Sequence, residues 1–459
     1  MDNVSNIPRF QNIHNPKNEV QIKLIIQHFV FSLQPWAQDD RICFVLQSSG
    51  RVSGSIQNRR DRNADKKHVI RKDNLKSMNQ RDLAEIKRRL NPDKRNPSLI
   101  CGCYVDYIGN PITSFELPVG SLYEQENEKY MSIFKKVLSG QIGQNLTPIA
   151  FPTESDDLLI RVRDTALNNK EALETLFTRL IAGIRAEHPD MQSVEDAQNA
   201  ENWLILLLHD DLDVRKRDVN GEIDYENSDR AFSYILCAVC PVKQEKPALR
   251  YLPTDGIFHE RAPEWLASAP ALGFLFPLYE GGAADVNTIL FFSKDCNDAH
   301  ADFLKAAFNV EAEMPAAEQT ENFQALLAQS LGTECSLDVV QEMHEVVSGL
   351  IEEQGKDDEP LMLSKQDVAR MLTDGGVSED RVEAFQKGFD ATFGTGTVLP
   401  AVNVVTPKQF KVEMPSVSIK VDPKQADLLE TRVIDGRSYL LIPIDGDIAV
   451  NGQPVFATK

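Results

Sequence analysis

The sequence predicts an α/β or α+β protein: a mixed or antiparallel sheet with packed helices, then an acidic helical segment and a small C-terminal β meander. Three observations lead there. Between Met78 and about Ala312, apolar runs of strand length alternate with helix-period stripes. From about Glu313 to Phe393, helix-like stretches are rich in Glu and Asp on their polar faces. Beyond that, Asp-Gly and Asn-Gly pairs punctuate short alternating runs.

The first 77 residues stand apart. They hold 13 Lys/Arg against 7 Asp/Glu, a net +6, which leaves 36 against 62, a net −26, for residues 78–459. Between Ser48 and Lys76 there are too few large apolar residues to build a core. One reading is a basic arm for nucleic acid or lipid. The other is a disordered or mistranslated extension ahead of a biological start at Met78. Basic tails are compact charged blocks, and this stretch has no such pattern, so the sequence favours the second.

From Met78 the elements of the main domain (78–312) follow in order. Leu83, Ile86 and Leu90 share one helix face. Leu99–Tyr107 reads as a strand running into a Gly109-Asn110-Pro111 turn. Leu122, Tyr130, Phe134, Val137 and Leu138 mark a helix that stops at Gly140, and Leu173 to Ile184 carries the stripe of another. Trp203–Leu208, Tyr234–Val242, Leu272–Leu278 and Thr288–Phe292 are apolar runs of the kind that fill buried strands, with a tight turn expected at Asn220-Gly221.

In the acidic helical segment (313–395), Ser364 and Asp367 form a capping box, and Gly375-Gly376 parts Lys365–Thr373 from Glu379–Phe393. The pair has the outline of a DNA-reading helix-turn-helix. Its second helix, however, sets Glu379, Asp380, Glu383 and Asp390 against Arg381 and Lys387, and phosphate would repel it. In the C-terminal β domain (396–459), Val417, Ile419 and Val421 alternate with polar neighbours. Asp435-Gly436, Asp445-Gly446 and Asn451-Gly452 separate strands such as Tyr439–Ile444.

The formal net charge of −20 points away from nucleic acid or an anionic membrane as a partner of the acidic body. No run reaches the roughly 18 apolar residues of a bilayer span; the best, Ile22 to Leu33, is interrupted by Lys23, Gln27 and His28. Seven cysteines, an odd number spread along the chain, fit reduced thiols of a cytosol better than a disulfide framework. The expectation is a cytoplasmic, multidomain protein with a protein partner and no membrane.

Several segments carry a resemblance: ICGCYVD (100–106), LSGQIGQN (138–145), LILLLHDDLDV (204–214), YILCAVCPV (234–242), GFLFPLY (273–279) and ETRVIDGRSYLLIPI (430–444). In this order they resemble an uncharacterised family of Clostridia and related Gram-positive bacteria, domain of unknown function 4317, from Met78 nearly to the C-terminus. The resemblance implies a bacterial cytosolic protein starting at Met78. It brings no activity, cofactor or catalytic residue.

Two constellations carry chemistry. Cys101, Cys103, Cys237 and Cys240 supply four thiols, the number for tetrahedral zinc, should their strands be neighbours. Against this, residues three apart on a strand face opposite ways, unless Pro241 ends the strand and permits a bulge. Free cysteines are also common core residues, and the sequence favours that reading. His209-Asp210-Asp211 with Asp213, after the Trp203–Leu208 run, offers an imidazole and carboxylates for a divalent metal or a general base, and so a metal-dependent enzyme such as a hydrolase. The competing reading is a solvated acidic loop.

LSGQIGQN lacks the Lys-Ser/Thr of a P-loop and the third glycine of a dinucleotide fingerprint. There is no Gly-x-Ser-x-Gly elbow, and His344-Glu345 is followed by Ser348 where a zinc protease needs histidine. Phe274, Phe276, Phe291 and Phe292 lie in apolar runs and read as core rather than as base-stacking groups. The balance is slightly toward a non-enzymatic, macromolecule-binding or regulatory protein. The metal-dependent enzyme and a structural zinc site remain as alternatives.

Overall fold

A computed structural model describes residues 78–94, 97–151, 156–189, 201–214, 230–280, 283–354, 359–444, 446, 448–450 and 452–455. Residues 57–406 and 407–459 fall in separate compact units. The first 77 residues and the Asn220-Gly221 turn lie outside the described residues.

The larger unit contains α1 (Gln80–Arg89), β1 (Leu99–Val105), β2 (Pro111–Pro118), α2 (Glu124–Val137), β3 (Leu146–Ala150), α3 (Asp157–Asp164), α4 (Lys170–Glu187), β4 (Asn202–Val214) and β5 (Arg230–Gln244). It continues with β6 (Ala248–Leu252), β7 (Ile257–Arg261), β8 (Trp265–Ala267), β9 (Leu272–Phe276), β10 (Leu278–Glu280), β11 (Ala283–Asp285), β12 (Thr288–Ser293) and α5 (Ala301–Phe308). An eight-stranded sheet runs β2-β1-β4-β5-β9-β12-β3, with β8 beside the end of β5, and its pairings are antiparallel. The class is α+β.

Helices cover both faces, and that is why the central strands read as unbroken apolar runs. On one face Ile205, Leu207, Ile235, Phe274, Phe276 and Phe291 pack under α3, α4 and α5. On the other, Leu206, Leu208, Leu236, Leu275, Leu290 and Phe292 pack under α1 and α2. Burying each such side chain contributes about 1.5–3 kcal/mol. The edge strand β2 begins and ends in proline and is largely exposed, as edges that avoid further pairing are. Its Phe115 lies over Gly102 of β1, where a Cβ would stand 2.2 Å from the ring.

Three strand features differ from expectation. β4 does not end at Leu208 but continues to Val214, in register with β5 from Asn202↔Val242 to Val214↔Arg230. Pro241 does not end β5, which runs on to Gln244 with no bulge opposite β4. The segment between β5 and β9 holds an unexpected two-stranded hairpin, β6–β7.

A second core is helical: α6 (Ala316–Leu331), α7 (Leu337–Glu353), α8 (Lys365–Asp374), α9 (Glu379–Phe393) and α10 (Ala401–Val404), with the short pair β13 (Met362–Ser364) and β14 (Val398–Pro400). Phe323, Val347, Leu372, Phe385 and Phe389 fill it. Ser364 caps α8 as a capping box with Asp367.

The described residues of 407–455 include three consecutive hairpins: β15 (Phe410–Met414) with β16 (Val417–Val421), β17 (Glu430–Ile434) with β18 (Arg437–Leu441), and β19 (Ile448–Val450) with β20 (Gln453–Val455). Asp435 and Gly436 both take positive φ, 50° and 77°, the signature of the mirror-image turns that suit strand twist. Among the described residues no helix is long and apolar enough to cross a membrane.

Candidate functional site

Because β4 continues through His209 and Asp210, consecutive side chains leave the sheet on opposite faces. The two residues therefore do not meet. Asp210 is buried in the layer under α1 and α2. Arg89, in the last turn of α1, grips it with two hydrogen bonds, Nε–Oδ2 at 2.5 Å and Nη2–Oδ1 at 2.7 Å. The Tyr234 hydroxyl donates to Oδ2 at 3.0 Å. Burial, reinforced by the Asp210 charge, pushes the Tyr234 phenol well up, so it remains a donor. A bidentate arginine and a phenol supply three donors to this carboxylate, two on Oδ2 and one on Oδ1, and hold it as the buried end of an ion pair.

His209 faces the other layer. Its Nε2 hydrogen-bonds Ser233 Oγ at 2.9 Å, with Asp211 Oδ1 at 3.8 Å. Burial pushes the imidazole below its ordinary range, although Asp211 and Asp210 pull the other way. The backbone of Asp213 pairs with Ala231; its side chain lies outside the described residues.

The four cysteines are buried and do not converge. Cys101, Cys103 and Cys237 lie in the layer under α3, α4 and α5, and Cys240 lies in the opposite one. Cys101 and Cys237 both stand level with Leu207, one on each side of β4, so their strands are about 10 Å apart. Burial pushes the thiols of Cys101 and Cys240 up to about 12 and raises Cys103 and Cys237 as well. Burial of this kind is that of small apolar core residues, the place free cysteine commonly takes.

The LSGQIGQN loop docks the helical core. Asn403 of α10 donates from Nδ2 to the Gly143 carbonyl at 2.8 Å and to Gln319 Oε1 at 2.9 Å, and Gln144 donates to the Val402 carbonyl at 3.2 Å. Gly143 takes φ +88°, and a Cβ there would lie 2.8 Å from Pro400 Cβ. Phe274, Phe276, Phe291 and Phe292 are buried in the two layers.

Two arrangements emerge that sequence reasoning missed. The first joins Glu187, at the end of α4, to Asp298 and His300 in the turn between β12 and α5. Their ligand-capable atoms all lie within 4.8 Å of one another, the one such group with His, Cys, Asp or Glu among the described residues. His300 Nδ1 contacts Glu187 Oε1, and Asp298 Oδ2 lies 3.8 Å from the same nitrogen. On the other side of the ring, Nε2 meets Ser293 Oγ at 2.7 Å, and that hydroxyl donates to the Asp295 carbonyl at 2.6 Å. Glu187 Oε2 is buried and has no hydrogen-bond partner among the described residues. Glu187 and His300 are 113 residues apart, and no local spacing marks the set.

The second is the β6–β7 hairpin. Leu249, Tyr251, Ile257 and Phe258 are 72%, 50%, 56% and 64% exposed, and Trp265 and Leu266 of β8 are exposed beside it in sequence. Tyr251 pairs across the hairpin with Phe258, ring centroids 5.4 Å apart, and Leu249 shares that face. Arg261, at the foot of the hairpin, pairs at 2.7 Å with both Glu245 and Glu264. The alternation Leu249, Tyr251 ahead of Asp255-Gly256 is the hairpin signal that the sequence did carry.

No curated protein and no solved structure matches the chain. A family model does, from residue 78 to 453, and through it the chain belongs to the family described as Domain of unknown function (DUF4317).

Proposed function

We propose that this chain is a non-enzymatic binding protein of the bacterial cytosol, and that it docks a different protein through the β6–β7 hairpin. The observation that carries the reading is the exposed apolar face of Leu249, Tyr251 and Phe258. Contiguous apolar surface of this kind marks interaction sites, and aromatic anchors dominate them. Between Ala248 and Arg261 two arginines balance Asp255 and Glu260, so the hairpin is a neutral patch on a chain of net charge −20. A second copy would bring an equally acidic body, and charge repulsion disfavours it. The partner's complementary chemistry is an apolar, weakly charged protein surface.

The enzyme alternative at His209, Asp210 and Asp213 draws no support from the site, because Asp210 is tied to Arg89 and Tyr234 and faces away from His209. The test is photo-crosslinking from a benzophenone side chain at position 258 of the full chain in cells, followed by affinity measurement with the identified protein in pure form. The triple variant Leu249→Ser, Tyr251→Ser, Phe258→Ser is expected to bind at least about tenfold more weakly. Equal affinity of variant and wild type, or crosslinks only between copies of this chain, would contradict the reading.

A further inference from the structure

We propose that Glu187, Asp298 and His300 form a binding site for one divalent first-row metal ion, Zn²⁺ being the representative probe. This is independent of the hairpin reading.

Ser293 has one hydroxyl hydrogen, and the Asp295 carbonyl, 2.6 Å away, can only accept it. The contact between Ser293 Oγ and His300 Nε2, at 2.7 Å, then requires Nε2 to be the donor. That relay fixes the ring and turns Nδ1 toward the two carboxylates. A histidine held by a hydrogen bond through one nitrogen, with the other facing anionic oxygens, is how proteins present imidazole to a metal. The same proton count argues against Ser293 as a nucleophile, since its hydrogen points away from His300.

The carboxylates are arranged to match. Asp298 uses Oδ1 to accept the His300 backbone N–H at 2.9 Å, which leaves Oδ2 for a ligand. Its Oδ2 stands 3.8 Å from Nδ1, near the ~3.4 Å edge of a tetrahedron with bonds of ~2.1 Å. An ion pair between His300 and Glu187 alone would leave Glu187 Oε2 buried with no donor. A cation beside it supplies the missing positive charge. Asp298, 57% exposed at its side chain, gives the ion a way in and leaves a side of the site open to water. One imidazole with two carboxylates is a donor set for Zn²⁺ and similar ions rather than for soft thiophilic metals.

His300 is also held at φ 49°, ψ 41°, the left-handed region that residues other than glycine seldom occupy. This places the ring over Ser293 at the start of α5.

The experiment is Zn²⁺ titration of the metal-stripped full chain against a chromophoric chelator, for wild type, Asp298→Asn and Glu187→Gln. Asp298→Asn is the decisive variant, because an exposed residue changes by one atom and its amide oxygen can still accept from the His300 N–H. Circular dichroism of each stripped protein confirms that it is folded. The expected result is one equivalent of Zn²⁺ for the wild type, with affinity falling at least tenfold in Asp298→Asn and further in Glu187→Gln. No uptake by the wild type, or unchanged uptake in Asp298→Asn, overturns the proposal. So does a loss confined to Glu187→Gln, whose contact with His300 also supports the fold.

Discussion

Asp210 and Glu187 are both carboxylates held beside a positively charged or ionisable partner, in opposite layers of the same sheet. Around Asp210 the accounts close: a bidentate arginine and a phenol answer both oxygens. Around Glu187 they do not, because Oε2 is buried without a donor while Nδ1 of His300 and Oδ2 of Asp298 converge nearby. The first arrangement ties α1 to the sheet across 121 residues of sequence. The second joins α4 to the start of α5 and gathers three ligand-capable atoms within 4.8 Å of one another. Whether each buried oxygen has a donor, more than residue type, separates a structural lock from a candidate site.

Breaking the lock gives the largest expected effect. Arg89→Ala leaves a nearly fully buried carboxylate without its cation and is expected to cost about 4 kcal/mol in urea unfolding. Asp210→Ala is expected to cost less, about 3 kcal/mol, because the Arg89 side chain is 23% exposed and can turn to solvent. The double variant should cost clearly less than the sum of the two. Additive losses would mean that the pair does not act as a unit.

Tyr234→Phe comes next. It removes one donor while the bidentate arginine remains, so a loss of about 1 kcal/mol is expected in the same assay. A loss as large as that of Arg89→Ala would shift the weight of the lock to the phenol.

The smallest expected effect concerns pH. His209 is pushed below its ordinary value of 6.5 by burial, so the unfolded chain takes up a proton first as pH falls. The stability this histidine contributes is therefore fully present above about pH 6.5 and is lost as pH drops from there through the folded-state value. His209→Gln should flatten the stability profile below pH 6.5 and leave it unchanged above. A variant whose profile instead steepens on the acid side would mean that Asp211 and Asp210 outweigh burial.

The same comparison explains what could be read in the sequence. The central strands were legible because both faces of the sheet are covered, which makes Tyr234–Val242 and Thr288–Phe292 continuous apolar runs. The ends of the strands were not. β4 continues through His209, Asp210 and Asp211 because Asp210 finds Arg89 and His209 finds Ser233, and no local pattern announces partners so distant in the chain. Pro241 sits inside β5 opposite Trp203, where the ladder to β9 has already ended at Val239↔Leu272 and its missing N–H costs no bond to that neighbour. The Glu187, Asp298 and His300 group was invisible for the same reason as the Arg89–Asp210 pair: a helix end and a turn deliver it, not a motif.

The most direct test compares thermal unfolding with and without Zn²⁺ for the wild type, Asp210→Asn and Asp298→Asn. The account predicts a crossed result. Asp210→Asn melts lower than wild type yet keeps the upward shift on adding Zn²⁺, whereas Asp298→Asn melts with the wild type and loses the shift. Contradiction would come from an Asp298→Asn protein that still responds to Zn²⁺, or from an Asp210→Asn protein that melts normally and no longer does.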